Sequence, residues 1–279
     1  MKFQIDHDMH IHTFISPCAG YDPRQTAEAI LAYGVSNDLR LLCVADHVWD
    51  KKVPSRSQNL WLERGIDLDR ARSLLPLPQS KYCRFLFGME ADMDFDGNIA
   101  VSREEMDKLD FIIFAPSHMH LGGFSVPRDL DPSAEAHKAL YLERLHLLME
   151  KDIPFHKAGL AHPACPIVCE ADPVRVFDLI TDREYEEIWT KIRDRGMGVE
   201  INIDVKYTAE ELEHIMRPLR IAKAIGCKFY LGGDAHTPED FRSFKSRFEK
   251  YVDILGLTED DKHPLVRANL APEAPHFSI

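Results

Sequence analysis

Asp8, His10 and His12 alternate with apolar residues in the run Asp8-Met9-His10-Ile11-His12. Successive side chains of an extended strand take opposite faces, so the three polar groups are expected on one side and Met9 and Ile11 on the other. Asp234-Ala235-His236 repeats the i, i+2 spacing late in the chain. Between the two pairs, histidine and carboxylate recur at Asp46-His47, Glu90, His118 and His162. Imidazole and carboxylate together are ligands for divalent transition metals. Two strands presenting paired ligands to one side, joined by isolated His and Glu from other strand ends, are what a multinuclear metal centre needs. His7 is expected to face the other way, and Asp8 to act either as a ligand or as an outer carboxylate orienting an imidazole.

The elements that must carry these groups read as alternating strands and helices. Short apolar runs at 3–10, 40–45, 83–89, 111–116, 158–161, 197–203 and 228–233 are the expected strands. Helices are expected at 23–33, 67–75, 102–109, 133–151, 173–180, 184–195, 208–225 and 238–255. Such alternation predicts parallel βαβ units, and continuous apolar strands favour a closed or nearly closed barrel over an open sheet. The fold class is therefore α/β, a closed or nearly closed seven-stranded (β/α)7 barrel. His12, His47, Glu90, His118, His162, Asn202 and His236 fall at or just after the C-terminal ends of these strands, the edge on which parallel barrels build their sites. No domain boundary is evident, so 1–279 reads as one domain. Residues 49–80, with Trp49 and Trp61, form a possible lid, specificity wall or solvated excursion, and 261–279 read as an irregular tail.

The formal charge of −12 carries no basic run, which makes nucleic acid an unlikely partner. The six cysteines form no tight framework, and Cys43 and Cys83 read as core thiols. Cys165 and Cys169 follow His162 but lack a second pair, so free thiols are expected. Apolar runs such as 111–115 are far too short to span a membrane, and no leader-like start is present. A soluble, cytoplasmic protein with reduced thiols is expected.

Taken in order, Asp8-Met9-His10-Ile11-His12-Thr13, Val44-Ala45-Asp46-His47, Gly88-Met89-Glu90-Ala91, Ser117-His118, Ala161-His162-Pro163 and Gly233-Asp234-Ala235-His236 resemble the motifs of the PHP family (polymerase and histidinol phosphatase) of metal-dependent phosphoesterases. The set spans residues 8 to 236 and is closer to the stand-alone phosphatase branch. The resemblance implies a barrel with up to three metals. One would be bound by His10, His12, Glu90 and Asp234, and a second by Glu90, His118 and His162. The third would take His47 and His236 with one more ligand from the loop after the first strand. Family phosphatases often carry a histidine at the place of Cys18, and a thiolate ligand there would favour zinc or iron over manganese or magnesium. His120 is a candidate for proton transfer.

Closely spaced divalent metals bind phosphate oxygens and activate water, so a protein nucleophile is not needed. No Gly-x-Ser-x-Gly elbow or phosphate-cradling glycine loop is present, as a water-based mechanism would have it. The expected activity is hydrolysis of small phosphate monoesters, histidinol phosphate first by resemblance, through a metal-bridging hydroxide. Two to three ions of zinc, manganese or iron are expected. Candidate substrate-binding residues are Lys206, Arg24 and Asn202, with Arg128, Lys157, Lys52 and Arg56 as weaker choices. The alternatives are a phosphodiesterase or nuclease, a non-catalytic metal-binding regulatory domain, and a metal-dependent amide hydrolase. The last would need a ligand lysine at a mid-barrel strand end, and none is evident.

Overall fold

The computed structural model describes residues 1–55, 59–203 and 207–273. Its strands are β1 (His7–Ile11), β2 (Leu41–Val44), β3 (His47–Val48), β4 (Arg84–Ala91), β5 (Phe111–Phe114), β6 (Ala158–Leu160), β7 (Gly198–Ile201) and β8 (Lys228–Leu231). Seven of them run parallel in the order β1-β2-β4-β5-β6-β7-β8, and the short β3 adds to β4. β1 and β8 are joined by the Ile11–Ala235 bridge, with Asp234 N donating to His10 O at 2.8 Å and His12 N to Ala235 O at 3.0 Å. The result is a nearly closed (β/α)7 barrel.

Runs such as Leu41-Leu42-Cys43-Val44 and Phe111-Ile112-Ile113-Phe114 are buried throughout because these strands are covered on both faces. One set of side chains, including Met9, Leu41, Cys43, Leu86, Phe111, Ile113 and Tyr230, packs together as one cluster. The alternate set, including Leu42, Val44, Met89, Ile112 and Phe114, packs in the larger cluster that includes the helices. Those helices are α1 (Ala27–Ser36), α2 (Leu60–Glu63), α3 (Leu68–Arg72), α4 (Arg103–Met106), α5 (Ala134–Glu150), α6 (Pro173–Leu179), α7 (Asp182–Arg195), α8 (Ala209–Ile225), α9 (Phe244–Leu255) and α10 (Pro264–Asn269). α7 and α8 start on full capping boxes, Thr181 with Glu184 and Thr208 with Glu211, which satisfy the free N–H groups of the first turn.

Four expectations are corrected. β1 begins at His7, not residue 3, because the chain before it bridges Lys2 to Thr258 outside the barrel. α1 begins at Ala27, since Asp22 folds 22–25 into a turn by accepting from Arg24 N, and Thr26 then caps the helix. The stretch from 261 is not wholly irregular, for Pro264 opens α10 at the position where its missing N–H costs nothing. Finally, the β1 register slips between Asp8 and Ile11, so strict alternation fails there. Met9 joins the same cluster as Leu41 and Cys43 and Ile11 the larger one, and Asp8 does not share a face with His10.

A candidate metal centre at the barrel rim

β4 delivers Glu90 from its penultimate position, and its two oxygens face different neighbours. Oε1 lies 2.9 Å from His162 Nε2 and 3.6 Å from His118 Nε2. Oε2 lies 3.3, 3.4 and 3.2 Å from the Nε2 atoms of His10, His12 and His47. His10 Nε2 and His12 Nε2 are 3.1 Å apart, and Asp234 Oδ1 sits 3.4 and 3.0 Å from them. Each imidazole nitrogen offers either one proton or one lone pair, so hydrogen bonds cannot satisfy all of these contacts at once. Ligand atoms converge within 4.8 Å in four groups: His10–His12–Asp234, His47–Glu90–His118, His12–Cys18–His47 and His10–His162–Glu200. An N, O and S donor set gathered in this way fits divalent transition-metal ions.

The rings are held from behind. Nδ1 of His10 lies 2.8 Å from Glu200 Oε1, and Nδ1 of His162 lies 2.9 Å from Ser117 Oγ. Asp92 serves two rings, 2.7 Å from His118 Nδ1 and 2.9 Å from His47 Nδ1. With Nδ1 facing a carboxylate or hydroxyl oxygen, Nε2 of all four rings turns to the centre, the arrangement that fixes tautomer and aim in metal-binding histidines. His236 follows the same rule, with its Nδ1 2.7 Å from Asp234 O while its ring stacks on His12. His162 and Asp234 reach inward from left-handed backbone, φ 23° and 53°, a local strain of the kind found where a side chain is re-aimed at a strand end. Gly232 and Gly233 are needed by close approach. A Cβ at 232 would meet Glu200 Oε1 at 1.8 Å, and one at 233 would meet Asp8 Oδ2 at 2.7 Å.

The electrostatics carry the same imprint. Burial alone would lower His10, but Glu200, Asp234 and Glu90 outweigh it and raise its pKa to about 10. Burial would raise the Cys18 thiol, yet His12, His236 and His47 bring it down to about 2, a thiolate. The carboxylates around His10 thus favour a proton on that ring in place of a cation, and ion binding would displace it.

The structure brings together the groupings implied by the motifs around His10, His12, Glu90 and Asp234, and around Glu90, His118 and His162. Cys18 Sγ stands 3.7 Å from His12 Nδ1 and groups with His47. His236 lies beside them but outside the four groups. Asp8 holds neither a ligand position nor an imidazole; its Oδ1 accepts from the backbone N–H of Gly233 and His10, and burial pushes its pKa up to about 7. His120, exposed, lies edge-on to His118, and partial burial and then His118 lower its pKa.

A cavity of about 540 Å³ opens beside the centre, lined by His162, Asn202, Asp234 and His236, with Arg247 on its wall. Arg24 is exposed and paired with Asp22 and Glu239, and Lys52 pairs with Glu104 and Glu105. Lys157 caps the carbonyls of Asp107 and Leu109. Lys206 and Arg56 lie outside the described residues. Among the described residues of 49–80, Trp49, Trp61, Ile66, Leu68, Ala71 and Leu77 are buried, and Trp61 stacks on His47 with ring centroids 4.3 Å apart. Asp92, Glu200 and Arg247 were not singled out from sequence, and Trp61 was named only as part of the possible lid or wall. Asp92 is two residues past Glu90, and Glu200 two before Asn202, so period-two spacing from a named residue was the available signal.

No family model matches the chain, and no curated protein matches it. Among solved structures, it is similar to HisK from Listeria monocytogenes, provisionally assigned as a histidinol phosphatase, with TM-score 0.60, 16% identity, and 87% of this chain and 99% of that one covered. It is also similar to histidinol phosphate phosphatase (HisK) from Lactococcus lactis subsp. lactis Il1403, solved with zinc, L-histidinol and phosphate. There the TM-score is 0.50 and the identity 14%, with 92% of this chain and 98% of that one covered. The chain shares the fold of these two HisK proteins.

Proposed function

We propose that this chain is a metal-dependent hydrolase of small phosphate monoesters, of the histidinol-phosphatase type. The observation that carries the reading is the division of Glu90, whose two oxygens serve two different sets of imidazoles. That is the position of a ligand shared between ions. Two to three divalent ions bound here would neutralise phosphate charge and bring the pKa of water towards neutrality.

The chain's own groups then have distinct tasks. Asp234, with its side chain 30% exposed and lining the cavity, holds an ion and accepts the proton of the attacking water. That proton passes to His120, neutral at rest, which as imidazolium gives it to the leaving alkoxide. Asn202 hydrogen-bonds the substrate from the cavity wall, Lys206 is a further substrate-binding candidate from the sequence, and Arg24 would serve only by exchanging Asp22 and Glu239 for the substrate. Cys18, beside His12 and His47, tilts metal choice towards zinc. The phosphate and L-histidinol bound by the Lactococcus neighbour support a small phosphorylated amino alcohol as substrate. The cavity volume of about 540 Å³ suits a molecule of that size. The protein would act in the cytoplasm.

Elemental analysis of protein purified without chelators should find at least two ions per chain. The same protein should hydrolyse p-nitrophenyl phosphate and histidinol phosphate when supplied with zinc, manganese or iron. Failure to hydrolyse any phosphomonoester with all three metals refutes the reading.

A further inference from the structure

Phosphate esters are dianions, and a cavity that receives one needs a cation that is not already neutralised. Arg24 donates to Asp22 and Glu239, Lys52 pairs with Glu104 and Glu105, and Lys157 is tied to carbonyls away from the cavity. Among the described residues lining the cavity, the carboxylates are Asp234, Glu239 and Asp240, and the only lysine or arginine is Arg247.

Arg247 sits in the first turn of α9, partly buried. A guanidinium has five N–H donors. Here one bond is made, from Nη2 to Gly233 O at 3.2 Å, and the buried Nε has no partner. No described carboxylate lies within ion-pair distance of it. Its guanidinium carbon rests 5.1 Å from the centre of the Phe248 ring, which stiffens the side chain. The one bond it makes ties it to the residue immediately before Asp234. The guanidinium acts on the buried Asp8 through charge, short of an ion pair, and on the wall of an otherwise acidic cavity its remaining N–H donors still call for an acceptor.

We infer that Arg247 binds the phosphate group of the substrate, a role that rests on the proposed function. Asp234 and Arg247 then grip the same anion from two sides, one through the ion it holds and the other directly. As a fork donor, Arg247 favours phosphate oxygens over a neutral group.

The test is inorganic phosphate binding to metal-loaded protein by titration calorimetry, with Arg247→Gln and Arg247→Lys beside the unaltered chain. Arg247→Gln should weaken phosphate binding about 10- to 100-fold, the range for a charge-assisted hydrogen bond. Arg247→Lys should fall between the two, and both variants should keep the metal count and melting temperature. Phosphate binding within twofold of the unaltered protein in either metal-loaded variant overturns the inference and leaves the phosphatase reading standing. Loss of metal in both variants also overturns it, since Arg247 would then be holding the Gly233–Asp234 turn. Absence of phosphate binding by the unaltered, metal-loaded protein sinks both.

Discussion

At the N-terminal end of the strands, Lys262 is wholly buried with its ammonium 2.9 Å from Asp6 and 2.9 Å from Glu259. His7 completes that cluster, with Nδ1 2.9 Å from Asp6 and Nε2 accepting from Leu231 N. Burial would raise Asp6, but His7 and Lys262 prevail and hold it at about 2. At the opposite end, Glu90, Asp92, Glu200 and Asp234 face histidines, and among the described residues neither lysine nor arginine pairs with them. Both clusters are buried, polar and built on β1. The lower one contains its own cation and closes as a hydrogen-bonded unit, whereas the upper one leaves imidazole nitrogens opposed. Burial of charge therefore does not mark a functional site; unresolved donor and acceptor chemistry does.

The sharpest way to break this contrast is Glu90→Gln. It should remove the shared ligand, reduce the metal count per chain, and cut phosphomonoesterase activity by more than about 100-fold, beyond the loss typical of outer partners. Elemental analysis and kinetics check it, and full metal retention would refute the shared-ligand role. The lower cluster should give the opposite profile. Lys262→Met takes the ammonium away from Asp6 and Glu259 and should cost about 3–5 kcal/mol in denaturant unfolding while leaving the metal count and KM unchanged.

His263, close to that lower cluster, sharpens the contrast through pH. Burial lowers its pKa to about 4. Unfolded, it takes up a proton near pH 6.5 that the folded chain refuses until about pH 4, so stability must fall as pH drops through that window. The contribution is about 3 kcal/mol. It should vanish in His263→Phe, as compared by unfolding at pH 7 and pH 4.5. The smallest effect is expected for Glu200→Gln, which leaves every proposed ligand in place but loosens His10. Metal affinity should drop about 10- to 100-fold, while the fold survives as judged by circular dichroism.

Much of the barrel was legible because its strands are continuous apolar runs separated by helical stretches, a pattern imposed by burial on both faces. The ligand candidates were legible because they sit at strand ends, where position along the chain predicts position in space. Asp8 was misread, since a register slip within β1 leaves no mark in a run that alternates perfectly as a sequence. Arg247 was missed for another reason. It reaches the cavity from a separate element, and no local periodicity links it to Gly233; Trp61 was named as part of a possible wall, but nothing in the sequence ties it to His47.

The seam between β1 and β8 is sewn by the amides of His12 and Asp234. The last stitch of the barrel and two members of its reactive cluster are thus the same residues. Stripping the ions should slacken this junction before any other part of the wall. Hydrogen–deuterium exchange at those two amides would then act as an occupancy gauge readable without substrate.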